Sequence, residues 1–217
     1  MNVKKVDKRQ KPKLSMEHPE MRIEAIWDQD GYVEKARFEG GVLSGAEGER
    51  LTFDDVRFKD VLFAGGDFTS VEFVDVVFDT CDFSNANFQH ATFHRCEIVH
   101  SKLTGTDFAN AQIGHTLLKE CDGRYSNFSF TGMKEVEFSE CHLADADFYE
   151  CTFKGVRFQK CKIDNINFSE TELKGVDLSD NTYERIEVTL PKLAGCIVSK
   201  EQALGFARVL GLSVKEE

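Results

Sequence analysis

A period of five residues runs through most of this 217-residue chain. In steps of five from Phe38 to Val198, 31 of 33 positions carry an apolar side chain, the exceptions being Gly48 and Gly123. Seventeen of the 19 phenylalanines lie in this register. Neither an α-helix, with about 3.6 residues per turn, nor a strand, with a period of two, produces such spacing. The chain must therefore turn a corner every five residues.

A second register lies two residues before the first, from Ala36 to Cys196. There 31 of 33 residues are small or apolar. The residue just before each large apolar centre is often Asp or Asn, as in Cys81-Asp82-Phe83. Each five-residue unit therefore points one large and one small side chain inward.

This unit, a small residue, Asp or Asn, Leu or Phe and two polar residues, resembles the repeat of the pentapeptide-repeat family over about residues 36–198. The resemblance implies an all-β solenoid. Its form would be a right-handed quadrilateral β-helix in which four pentapeptides make one square coil. Thirty-three units give about eight coils, and at about 4.8 Å per coil the rod is roughly 40 Å long.

The two ends of the chain differ from the repeat. Residues 1–14 hold six cations against one acid, so we expect residues 1–20 to be a basic, disordered tail. We expect residues 21–35 to be an N-terminal cap, with Met21, Ile26 and Trp27 covering the open end of the β-helix.

A helix with a tail is predicted for residues 199–217. Ser199 and Gln202 have the spacing of a capping box, and the residues that follow are too apolar for a fully solvated helix. The helix either covers the last coil or forms a homodimer contact. Glu201-Gln202-Ala203 and Leu210-Gly211-Leu212 resemble the C-terminal segment of the Qnr quinolone-resistance proteins, which implies dimerisation. The predicted dimer contacts are Leu204, Phe206, Ala207, Leu210 and Leu212.

All seven cysteines occupy the small inward register, which predicts buried packing. Stacked cysteines leave a disulfide or a metal site as alternatives. The odd count and the lack of a C-x-x-C pair argue against both, so we expect a reducing, cytoplasmic setting.

Nothing in the chain has the pattern of a catalytic or cofactor site. The six histidines scatter over all four sides, and His94 and His115, one coil apart, lack an evident third ligand. A core filled with Phe leaves no deep pocket for a small substrate. We therefore expect no enzyme activity, no metal and no cofactor.

The net charge of −11 argues against direct binding of nucleic acid, and no apolar run is long enough to span a membrane. Charge is concentrated on the side centred on Phe68, Phe88 and Phe108, which carries eight acids and one base, while the other sides are closer to balance. The acids are Glu47, Glu49, Asp67, Asp107, Asp147, Glu150, Glu170 and Glu187, and the base is Arg50. Solubility and the preference of the repeat for Asp or Asn could explain them, but so could imitation of a nucleic-acid surface.

Resemblance to the Qnr-like branch implies a dimeric rod that imitates duplex DNA, binds DNA gyrase or topoisomerase IV and lowers fluoroquinolone sensitivity. The predicted topoisomerase-binding residues are Asp67, Asp107, Asp147, Glu150, Glu170, Glu187, Phe130 and Tyr149. Several Qnr proteins carry loops important for drug protection, whereas this repeat is continuous, so topoisomerase inhibition without protection stays open. Two other hypotheses are a scaffold that binds another protein along a flat side, and immunity against a peptide antibiotic that poisons gyrase.

Overall fold

A computed structural model describes residues 8–44, 51–209, 211–213 and 215. These residues form a four-sided parallel β-helix that ends in a short α-helix. Each segment pairs in parallel with the segment 20 residues further along, so that Phe38 lies beside Phe58 and Phe58 beside Phe78. The pentapeptide-repeat β-helix predicted from the five-residue period is confirmed.

The regular elements follow the coils. The strands are β1 (Tyr32–Glu39), β2 (Thr52–Lys59), β3 (Glu72–Asp79), β4 (Thr92–His94), β5 (Glu97–Val99), β6 (Gln112–Gly114), β7 (Leu117–Lys119), β8 (Gly132–Lys134), β9 (Glu137–Ser139), β10 (Thr152–Lys154), β11 (Arg157–Gln159), β12 (Ile166–Phe168) and β13 (Ile186–Val188). The helices are two 3₁₀-helices, Ile23–Asp28 and Leu190–Leu193, and α1 (Lys200–Val209).

Strands β1 to β3 run along two sides of the β-helix without a break, and the later coils divide each such strand into two short ones. The other two sides pair mainly through single bridges. One column of bridges runs in steps of 20 residues through Leu62, Asp82, Lys102, Asp122, His142, Lys162 and Thr182. Within described residues 51–198, therefore, no loop interrupts the coils.

Phenylalanine rings fill the axis of the β-helix. Phe108 stacks on Phe88 and Phe128, with ring centroids 5.6 and 4.8 Å apart. Rings from adjacent sides meet edge-on, as Phe93 and Phe108 do at 5.8 Å. Because both arrangements are favourable for aromatic pairs, the period of five produces a continuous aromatic core.

The corners have a backbone conformation that the spacing alone does not predict. Every fifth residue from Asp55 to Gly175 adopts left-handed geometry, and the non-glycine residues among them have φ between 51° and 61°. Many of them are Asp, Asn or His, which tolerate this region better than other non-glycine residues. The fifth position of each unit is therefore the corner residue.

The small inward residues also carry hydrogen bonds. Cys151 Sγ donates to the carbonyl oxygen of Phe128 at 3.0 Å, and Thr171 Oγ1 donates to that of Phe148 at 2.6 Å. Six cysteines are buried as predicted, all seven are free thiols, and Cys196 is partly exposed. Burial raises the pKa of Cys81 to about 12, which keeps that thiol protonated at neutral pH.

The N-terminal end of the β-helix is closed by the 3₁₀-helix Ile23–Asp28. Ile23 and Ile26 are buried in the core, and Met21 packs against it. Trp27, by contrast, has 44% of its surface exposed. Of the predicted covering residues, Ile26 is thus buried and Trp27 is the most exposed, while Ile23 is a further buried residue of this 3₁₀-helix.

Residues 8–20, here called the arm, lie against the outside of the β-helix instead of forming a disordered tail. Main-chain N–H groups of Lys13 and Ser15 donate to Asp75 and Asp55, at 2.8 and 2.9 Å. The sequence interpretation is corrected for residues 8–20, and residues 1–7 lie outside the described residues. The cationic composition of this segment does not indicate that it docks, because the carboxylates that hold the arm are 40 to 62 positions away.

Candidate protein-binding face

The side of the β-helix centred on Phe68, Phe108 and Phe148, here called the acidic face, places carboxylates in a column. Its outward positions within the described residues carry six acids and neither Lys nor Arg. The acids are Asp67, Asp107, Asp147, Glu150, Glu170 and Glu187. The predicted members Glu47, Glu49 and Arg50 lie outside the described residues.

Asp and Asn alternate along this column as hydrogen-bonded pairs. Asn127 Nδ2 donates to Asp107 Oδ1 at 3.0 Å, and Asn167 Nδ2 donates to Asp147 Oδ1 at 2.9 Å. Asn87 makes the same bond to Asp67 at 3.1 Å. An amide between carboxylates replaces repulsion with attraction, which gives the alternation a physical reason.

The carboxylates are also held in place by their own turns. Asp147 Oδ1 accepts the main-chain N–H of Tyr149 at 2.9 Å, and Asp107 Oδ1 accepts that of Ala109 at the same distance. Such Asx turns fix the side chain relative to the backbone. At about 4.8 Å per coil, successive aspartates lie about 9.6 Å apart, and Asp67 to Glu187 spans about 29 Å.

The described residues provide no cationic partner for the acids of this face. On other sides, ion pairs join Asp75 to Arg95 at 2.6 Å and Glu137 to Arg157 at 2.8 Å. Within the part of the chain that the structure describes, no ion pair involves any of the six acids of the acidic face. Their negative charge is therefore not neutralised by a neighbouring side chain.

Two aromatic residues interrupt the acidic face. Phe130 is 49% exposed and contacts Tyr149 edge-on, with ring centroids 5.5 Å apart. Phe130 occupies a corner with φ of 61°, a conformation that is unfavourable for a bulky residue. Because Asp147 lies two positions before Tyr149 and Glu150 directly after it, an apolar contact site lies among the carboxylates.

Five of the eight predicted binding residues lie in three adjoining coils. They are Phe130, Asp147, Tyr149, Glu150 and Glu170. Asp107 and Glu187 lie two coils from Asp147 on either side, and Asp67 lies four coils away, about 19 Å. The eight residues thus form a line with a denser patch around Tyr149.

Tyr125 was missed by the sequence reasoning. It is 61% exposed at a corner with φ of 60°, one corner before Phe130. A large aromatic at the fifth position of the unit, where the repeat is polar, is the signal that identifies both corner residues.

The C-terminal helix begins with the predicted capping box. Ser199 N–H donates to Gln202 Oε1 at 2.8 Å, and Gln202 N–H donates to Ser199 Oγ at 3.2 Å. Gln202 Nε2 also donates to the carbonyl oxygens of Leu178 and Asn181, both at 3.0 Å, and so satisfies the edge of the last coils. The start of the helix therefore caps the edge of the last coils.

The predicted dimer contacts fall into three groups. Leu204 and Leu212 are 37% and 59% exposed. Phe206 and Ala207 are partly buried, and Leu210 lies outside the described residues. The cap thus leaves apolar surface at Leu204 and Leu212.

His94 and His115 contact each other, with ring centroids 5.6 Å apart. Among the described residues, no group of three His, Cys, Asp or Glu side chains is placed to hold a metal ion. His115 Nδ1 instead accepts the main-chain N–H of Gln10 at 3.3 Å. His115 thus lies beneath the arm.

A family model described as a pentapeptide repeat region matches residues 71–143 and 131–204. The chain belongs to the pentapeptide-repeat family. No curated protein sequence gives a significant match to this pentapeptide-repeat protein. In the described residues, no helix has the length and apolar character needed to cross a membrane.

Solved structures share the fold at low identity. Trypsin-treated QnrB1, a plasmid-mediated fluoroquinolone resistance protein, matches with a TM-score of 0.54 and 18% identity, over 92% of this chain and all of that one. HetL, a pentapeptide-repeat protein involved in heterocyst differentiation regulation in a Nostoc strain, gives a TM-score of 0.35 and 12% identity, over 87% of this chain and 88% of that one. The similarity to QnrB1 shows the same fold.

Proposed function

We propose that this pentapeptide-repeat protein is a Qnr-like DNA mimic that acts in the cytoplasm. It binds a type II topoisomerase, DNA gyrase or topoisomerase IV, modulates that enzyme and lowers fluoroquinolone sensitivity. The observation that carries the proposal is a row of six carboxylates on one side of the β-helix, spread over about 29 Å, for which the described residues provide no cationic partner.

Charge and rigidity together support a binding function. A protein that holds DNA presents cations to a row of phosphates, and a fixed row of carboxylates attracts the same cations. The Asx turns and the amide bonds from Asn127 and Asn167 fix the row before binding, which lowers the entropic cost of association. Phe130 and Tyr149 add an aromatic anchor of the kind that dominates many interfaces.

The test is a supercoiling assay with purified gyrase into which this protein is titrated, with and without ciprofloxacin. Inhibition without the drug, or rescue of supercoiling in its presence, supports the proposal and shows which activity the protein has. The same assay is run on a variant with Glu150→Lys, Glu170→Lys and Glu187→Lys. We expect this variant to lose activity at least tenfold.

A matched control changes the same number of charges on other sides, with Glu140→Lys, Asp145→Lys and Glu184→Lys. We expect the control to retain activity. An equal loss in both variants would mean that net charge, and not the acidic face, determines binding. No effect of the folded wild-type protein in either arm of the assay favours a scaffold.

Binding should also weaken steeply as salt rises from about 0.05 M to about 0.5 M, because screened charges attract less. A scaffold contact dominated by apolar surface would be nearly independent of salt. An immunity role would appear as rescue of gyrase from a peptide antibiotic without rescue from ciprofloxacin.

We propose further that the C-terminal helix forms the homodimer contact through Leu204 and Leu212, which remain exposed beside the cap. Sedimentation of wild-type protein and of Leu204→Lys with Leu212→Lys tests this. We expect a dimer for the first and a folded monomer for the second.

A further inference from the structure

The corner that the arm covers differs in burial from other corners of the β-helix. Asp55, Asp75 and His115 are 6%, 6% and 8% exposed, whereas the corner residues Asp60, Ser70 and Asn110 are exposed. The arm therefore removes a polar corner from solvent. The column Asp55, Asp75, Arg95, His115 and Glu135 is here called the arm corner.

The arm lies along this corner as an extended segment. Its contacts with His115, Asp75 and Asp55 come from Gln10, Lys13 and Ser15 in turn. Three coil rises at about 4.8 Å span about 14 Å, which five extended residues cover with about 3 Å each. An extended chain of this length therefore reaches across the three coil rises.

Main-chain donors provide the anchor points. Lys13 N–H donates to Asp75 Oδ1 at 2.8 Å, and Ser15 N–H donates to Asp55 Oδ1 at 2.9 Å. The Ser15 hydroxyl also donates to Asp55, and His18 Nε2 lies 2.7 Å from Asp55 Oδ1. Hydrogen bonds from main-chain N–H groups can be made by segments of many sequences. The side chains of Ser15 and His18 make the contact with Asp55 selective for a particular sequence.

Ion pairs also contribute to the contact between the arm and the β-helix. Arg9 Nη1 pairs with Glu97 at 3.2 Å, and the Arg9 side chain is 5% exposed. Arg95 donates to both oxygens of Asp75, at 2.7 and 2.6 Å, which fixes that carboxylate for Lys13. Burial opposes ionisation of Asp75, but the bonds from Arg95 and Lys13 outweigh it and lower its pKa. The corner therefore offers fixed carboxylate acceptors to the main chain of an extended segment, and Glu97 pairs with its arginine.

We infer that the arm corner is a binding site for an extended cationic segment of a partner protein, and that the arm occupies it in cis as a competitive strap. The segment it takes presents one main-chain N–H to Asp75, and a hydroxyl residue two positions later to Asp55. A histidine three positions after that completes the contact. This site lies away from the acidic face and does not depend on the function proposed for it.

The experiment releases the arm in the full-length chain by Lys13→Pro with Ser15→Pro, since proline has no N–H to donate. Cleavage by trypsin after Arg9 reports release, and we expect it to become at least tenfold faster than in wild type. The probe is a fluorescent synthetic peptide of residues 8–18, followed by fluorescence anisotropy. We expect saturable binding to the released variant and binding at least tenfold weaker to wild type, where the arm competes.

The matched control is the same peptide with proline at the positions of Lys13 and Ser15, which keeps the arginine and two lysines but lacks both donors. Its failure to bind supports the proposed contacts, and equal binding would overturn them. Absence of binding to a released variant, or unchanged cleavage after Arg9, would also overturn the proposal. Ser15→Pro alone serves as a second variant if the double variant does not fold, and the same readings apply.

Discussion

Alternation of Asp and Asn on the acidic face predicts that a charge placed at Asn127 destabilises the protein through repulsion. Asn127 donates to Asp107 at 3.0 Å and lies one coil from Asp147 as well. Asn127→Asp removes the donor but keeps the oxygen that accepts the Ser129 N–H at 2.9 Å. The new carboxylate then has a like charge about 5 Å away on each side.

The size of the effect follows from Coulomb's law and one hydrogen bond. Two charges about 5 Å apart repel by about 0.8 kcal/mol in water, so two neighbours give about 1.6 kcal/mol. Loss of the bond from Asn127 to Asp107 adds about 1 kcal/mol. We expect Asn127→Asp to lower the free energy of unfolding by about 2–3 kcal/mol at low salt.

Urea unfolding at two salt concentrations checks this, with wild type measured at each. Between about 0.01 M and about 1 M salt the Debye length falls from about 30 to about 3 Å. The deficit of Asn127→Asp should then shrink by about 1 kcal/mol, while that of Asn127→Ala, which adds no charge, should stay constant. If both variants respond to salt alike, the repulsion argument for the alternation is refuted.

Three further predictions concern single residues. Phe130→Asn should raise the free energy of unfolding by about 1 kcal/mol in thermal denaturation, because Asn tolerates the left-handed corner better, and yet it should weaken topoisomerase binding in the supercoiling assay. Thr171→Val should cost about 2–4 kcal/mol in urea unfolding, since the buried Cys151 N–H loses its acceptor at 2.8 Å and a buried carbonyl loses its donor. Burial lowers the pKa of His115 while the arm is docked. As pH falls below the ordinary value of about 6.5, protonation of His115 therefore favours the state in which the arm is released. Hydrogen exchange of the Gln10 amide, corrected for intrinsic pH dependence, should therefore speed up between pH 8 and about 5.5, and unchanged protection would contradict the role given to His115.

Much of the β-helix could be predicted because its determinants repeat locally. The local sequence is enough to predict that Phe58, Phe63 and Phe68 point into the core, since each lies five residues from the next large apolar residue. The capping box of Ser199 and Gln202 was also found from spacing, because its two residues are three positions apart. For the acidic face, the period placed Asp107 and Asp147 on one side, as the bridges show.

The five-residue period did not predict the contacts between side chains within the acidic face. Hydrogen bonds from Asn127 and Asn167 to the aspartates depend on atoms that meet across coils. Likewise the contact between Phe130 and Tyr149 depends on a left-handed corner that presents Phe130 outward.

The five-residue period by itself determined the square coil, the aromatic core and the side on which each residue lies, because stacking a repeat on itself leaves few other arrangements. Only the tertiary structure decided which polar residues face solvent. Asp55 and Asp75 have the sequence surroundings of any exposed corner residue, yet the arm buries them through contacts 40 and 62 positions away. Such contacts follow no local period, so the free energy of docking, and not the repeat, determines where the arm lies.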